Sequence, residues 1–78
     1  MSRPSRREMQ ELAEDRERCA ARSSAAARDG DRAANDPTNS PTIRAQAKAA
    51  AGFARRHAQE YREEAEALRD GRIPGEDW

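Results

Sequence analysis

Large apolar side chains are scarce in this chain. Its 78 residues hold one Phe, one Tyr, one Trp and two Met. The side chains able to fill a core are Met1, Met9, Leu12, Ile43, Phe53, Tyr61, Leu68, Ile73 and Trp78. Most of the 35% hydrophobic share is alanine, at 17 positions, and an alanine adds little area to a core. A domain of this size buries roughly 60% of its unfolded surface. With so few large residues, its stability is expected to stay within the ~3–5 kcal/mol of small scaffolds, so a partner or a second copy is expected.

Other scarcities exclude whole classes. No apolar run approaches the ~20 residues of a membrane span. The single cysteine, Cys19, rules out a disulfide framework and fits a reducing cytoplasm. No apolar stretch follows the basic residues Arg3, Arg6 and Arg7, as a secretory leader would require. The glycines at 30, 52, 71 and 75 have neither P-loop nor dinucleotide-binding spacing. One Cys and one His cannot make a zinc site. Fifteen basic and fifteen acidic residues cancel, so no overall field draws the chain to nucleic acid. The cations are 14 Arg and one Lys, an alanine- and arginine-rich composition suggesting a GC-rich genome, as in small bacterial or phage proteins. High charge with few aromatics is also a signature of disorder; zero net charge and strong helix formers argue against it here.

What the chain does contain is helix. Ser5-Arg-Arg-Glu8 is a capping box, and only helix-tolerant residues follow as far as Arg28. Asp29-Gly30 offers a stop, although residues 31–34 can carry the helix further. Residues 35–40 read as a loop. Ser40-Pro41 then gives an N-cap followed by proline at the first helical position, and Gly71 with Pro74 beyond it closes the second helix near Asp70. The expected organisation is a disordered N-terminus over 1–4, a hairpin over 5–70 (helices 5–28 or 5–34, and 41–70), and an irregular tail over 71–78. Gly52 inside the second helix either costs about 1 kcal/mol relative to Ala or marks a close contact.

Apolar spacing places the two helices against each other. Ile43, Ala47, Ala51, Ala54, Ala58, Tyr61, Ala65 and Leu68 step by three or four along the second. Met9, Leu12, Arg16, Cys19, Ser23 and Ala26 do so along the first, with Ala13, Ala20 and Ala27 alongside. Folding about residues 36–37 sets Leu12 against Tyr61, Cys19 against Ala54 and Ala26 against Ala47. The fold class is therefore all-α, an antiparallel helical hairpin. Phe53 lies off the seam with Gln46, Ala49, Ala50 and His57. Either the tail covers it through Ile73 or Trp78, or it is a second packing face that completes a four-helix bundle in a homodimer.

Chemistry has little to stand on. Cys19 and His57 fall within a turn of each other in the folding scheme, but a dyad on a bare hairpin lacks a pocket and an oxyanion site. His57 with Glu60 and Glu64 is too small a set, in reversed order, for a di-metal bundle. No cofactor, metal or small-molecule substrate is expected, and no enzyme. The expected function is protein–protein interaction, as an adaptor or regulator, with Phe53, His57, Ile73 and Trp78 as contact residues; a terminal Trp is a common anchor at interfaces. The alternative is nucleic-acid association through the basic half near the loop, using Arg18, Arg22, Arg28, Arg44, Lys48, Arg55 and Arg56.

Overall fold

The computed structural model describes residues 3–74 of the chain. They form two helices, α1 (Arg6–Ala34) and α2 (Pro41–Arg69), packed against each other as a hairpin. No helix among the described residues is long and apolar enough to cross a membrane. Trp78 lies outside the described residues.

Each helix end is closed by the residues that sequence chemistry favours there. At Ser5 the capping box is complete: the Glu8 N–H donates to Ser5 Oγ at 3.1 Å, and the Ser5 N–H donates to Glu8 Oε1 at 3.1 Å. Ser40 caps α2 by accepting from the Ile43 N–H at 3.2 Å, with Pro41 in the first turn. After Asp70 the chain turns at Gly71, with φ at +80°. There the Gly71 N–H donates to the Leu68 carbonyl and the Arg72 N–H to the Ala67 carbonyl. That pair of bonds is a Schellman motif, and a positive φ is why glycine stands at 71. Ile73 is thereby turned back onto the cluster of Met9, Ala13, Ala65 and Leu68.

Helix α1 does not stop at Gly30. It continues to Ala34, and its last carbonyls find side-chain donors from the loop and from α2: Asn39 Nδ2 to Ala33 O at 3.0 Å and Arg44 Nε to Ala34 O at 3.0 Å. Between them Asp36 Oδ1 accepts from the Thr38 N–H and hydroxyl at 2.9 and 2.7 Å, fixing the turn. Gly30 is kept for a different reason. A Cβ there would lie 2.9 Å from Ala51 Cβ and 3.0 Å from the Ala47 carbonyl oxygen. The two backbones pass too closely for any side chain. At Gly52, by contrast, an added Cβ meets nothing within 4 Å. Of the two helical glycines, the close contact belongs to Gly30 rather than Gly52.

The seam between the helices is alanine at intervals of seven. Ala13, Ala20 and Ala27 on α1, and Ala51, Ala58 and Ala65 on α2, are all buried. Spacing of seven returns each alanine to the same side of its helix when the interface is a coiled-coil seam. This corrects two expectations. The α1 seam is rotated by one residue, so Ala13, Ala20 and Ala27 sit inward while Leu12 is 40% exposed and Cys19 half-buried. The smallest side chains take the interface because only they permit the close approach that Gly30 records. The register also slides: Met9 clusters with Leu68 and Ala13 with Ala65, about one helical turn from the fold about 36–37. The slide leaves Ile43 level with the end of α1, where it stays 50% exposed instead of joining the seam.

Two experiments probe this arrangement. Gly30→Ala forces apart two backbones in contact, and net of its better helix propensity it lowers unfolding free energy by about 1–2 kcal/mol. Gly52→Ala meets open space and raises it by up to about 1 kcal/mol. Chemical denaturation of the two variants checks both signs, and equal effects would contradict the close crossing at Gly30. The caps predict an acid response. The Ser5 N–H, then its hydroxyl, hold Glu8 below its ordinary 4.5, while the Thr38 hydroxyl and N–H, aided by Arg44, hold Asp36 below 3.8. Both contributions are present above those ordinary values and are lost as pH falls through the lowered folded ones. A carboxyl-detected NMR titration should find both midpoints depressed, with Ser5→Ala, which removes the hydroxyl but keeps the backbone N–H, moving Glu8 only part of the way back toward its ordinary range.

Candidate interaction face

An alanine seam this tight leaves the two sides of the hairpin unequal. Residues four positions after each buried alanine flank the seam on one side, and those just before each buried alanine flank it on the other.

The first flank is latched by polar side chains. Arg69 reaches Glu17 at 2.8 Å, Arg62 donates to Ser24 Oγ at 2.9 Å, and Arg55 reaches Asp31 at 2.8 Å. Each bridge lies seven residues from the next on both helices. Exposed pairs of this kind contribute only ~0–1 kcal/mol each, so the ladder fixes register more than stability.

The second flank carries Leu12, Cys19, Ala26 and Ala33 on α1, and Ile43, Ala50, His57 and Glu64 on α2, again in steps of seven. Phe53 and Gln46 stand next to it on α2. Its only formal charges are at the open end, where Arg16 Nε and Glu64 Oε2 pair at 2.9 Å. From Cys19 and His57 to the loop, the stripe itself has no Lys, Arg, Asp or Glu, and two guanidinium groups edge it, Arg22 on the Cys19 sulfur and Arg56 over Phe53. The three large apolar side chains left exposed among the described residues are Leu12 at 40%, Ile43 at 50% and Phe53 at 57%. All three belong to this flank. Arg56 stacks over the Phe53 ring at 4.6 Å, a contact worth ~0.5–1 kcal/mol at an exposed site.

The remaining sequence candidates fall as follows. His57 is exposed on the uncharged flank. Cys19 lies there too, but its sulfur accepts from Arg22 at 3.2 Å, and no such bond joins it to His57. No group of His, Cys, Asp and Glu among the described residues could hold a metal. Ile73 is half-buried on the core cluster rather than over Phe53, and with Pro4, Leu12 and Pro74 it walls an apolar cleft at the open end. The basic candidates do not form one surface. Arg44, Lys48 and Arg55 line a cleft near the loop with Asp31 and Pro41. Arg18 pairs with Asp15, Arg22 with Cys19, and Arg56 with Phe53; Arg28 is exposed on α1.

Sequence spacing pointed to Phe53 and His57 but passed over Leu12 and Ile43, which it assigned to the hairpin's own interface. The missed signal was the strict seven-residue recurrence of alanine, which outranks the larger residues beside it. Comparison with protein-family models, curated proteins and solved structures finds no match for this chain.

Proposed function

We propose that this chain is a small non-enzymatic protein–protein interaction module, an adaptor or regulator of the cytoplasm, that takes helical partners on its uncharged flank. A second copy docking there would complete a four-helix bundle. One observation carries this: Leu12, Ile43 and Phe53, the large apolar side chains that the hairpin leaves in water, stand on one flank, and the stripe there from Cys19 and His57 to the loop carries no charged residue of its own, whereas the other flank is latched by ion pairs. Charge depletion around aromatic and aliphatic anchors distinguishes the core of an interface from ordinary surface. Energetics point the same way. The hairpin has no large side chain that is fully buried, so its own seam contributes little, and cover over the exposed flank adds what the seam lacks.

Light scattering behind size exclusion, over a hundredfold concentration range, tests it. The wild-type chain is expected to exceed its 8.7 kDa monomer mass as concentration rises. Phe53→Ala weakens that association by tenfold or more, as for an interface anchor. A thermally stable monomer at every concentration, indifferent to Phe53→Ala, would count against an interaction face at this flank.

A further inference from the structure

The position of each residue along the uncharged flank specifies how two copies meet, given that the flank takes a second copy as proposed above. The seam register puts Leu12 level with Glu64, Cys19 with His57, Ala26 with Ala50, and Ala33 with Ile43, in rungs about 10 Å apart. Phe53 and Ser23 lie between the two central rungs. Two identical faces related by a twofold axis can meet with like ends together or with ends reversed.

Like ends together stack each rung on itself. That arrangement leaves one layer of four alanines from Ala26 and Ala50, too small to fill the space between four helices. It also gathers two Arg16–Glu64 pairs into a single layer. Reversed ends give layers of mixed size. Leu12 and Glu64 of one copy then share a layer with Ala33 and Ile43 of the other, Cys19 and His57 share one with Ala26 and Ala50, and Phe53 meets its own counterpart at the axis beside Ser23. Cores pack to uniform density with large residues set against small ones. Reversal also keeps the two Arg16–Glu64 pairs at opposite ends.

We infer that the protein forms an end-reversed homodimer whose twofold axis passes through the level of Ser23 and Phe53. Size and charge fit a second copy. The hairpin measures 54 × 20 × 18 Å, so its flat face offers on the order of 1,000 Å², against about 800 Å² per partner in a stable interface. The chain has zero net charge and its central rungs hold no charged residue, with Arg22 and Arg56 at their edges, so little overall repulsion opposes its meeting itself.

Paired spin labels test the arrangement on the full chain. In a Cys19→Ala background, nitroxides are placed at Glu11→Cys and, separately, at Arg32→Cys, two exposed sites away from the face. Electron–electron resonance should give about 35 Å between two labels at 11, from the rise of 1.5 Å per residue. Mixing the two singly labelled proteins should give a much shorter 11-to-32 distance. A short 11-to-11 distance with a long mixed one would overturn the end-reversed arrangement while leaving self-association intact. Absence of any pair distance, with monomer mass by light scattering for the unlabelled wild type, would overturn both this inference and the self-association it rests on.

Discussion

The close approach of the two helix backbones is the constraint from which the rest of the hairpin follows. Gly30 marks it most sharply, since even a methyl group there would overlap Ala51 and the Ala47 carbonyl. Along the remainder of the seam only alanine is small enough, and it recurs every seven residues on both helices. Larger side chains are admitted near the open end, where Met9 and Leu68 pack with Ile73 across them. A tight seam gains contact density but buries little apolar area, so it sets geometry well and contributes modest free energy.

That geometry sorts every other residue. Once alanines occupy the inward positions, the side chains beside them fall on two flanks of opposite character. One flank carries Glu17, Ser24 and Asp31 facing Arg69, Arg62 and Arg55, and closes on itself. The other leaves Leu12, Ile43 and Phe53 exposed, with only Arg56 stacked over the Phe53 ring. Net charge, which is zero, reveals nothing of this division. The division lies in where the charges are placed.

Local chemistry made much of the fold legible in the sequence. Capping at Ser5 and Ser40, the loop over 35–40 and the turn at Gly71 are decided by a few adjacent residues, and the structure shows them where the sequence places them. Long-range packing was less legible. Gly30 looks like a helix stop because glycine usually serves that role, but here Asn39 and Arg44 supply donors to the Ala33 and Ala34 carbonyls from six and ten residues later, and the glycine serves the crossing instead. Leu12 and Ile43 look like seam residues because apolar spacing alone ranks by hydrophobicity. In a seam this narrow, size decides, and alanine displaces leucine. Phe53 was legible as off-seam because no shift of register by one turn brings it inward.

Concentration-dependent NMR measures the central claim most directly, because it reports on both flanks in one experiment. Amide spectra recorded across a hundredfold dilution should change at Leu12, Cys19, Ser23, Ala26, Ile43, Ala50, Phe53 and His57, and stay fixed at Glu17, Ser24, Asp31, Arg55, Arg62 and Arg69. Spectra that do not move with concentration, or that move equally on both flanks, would contradict an interaction face confined to the uncharged side.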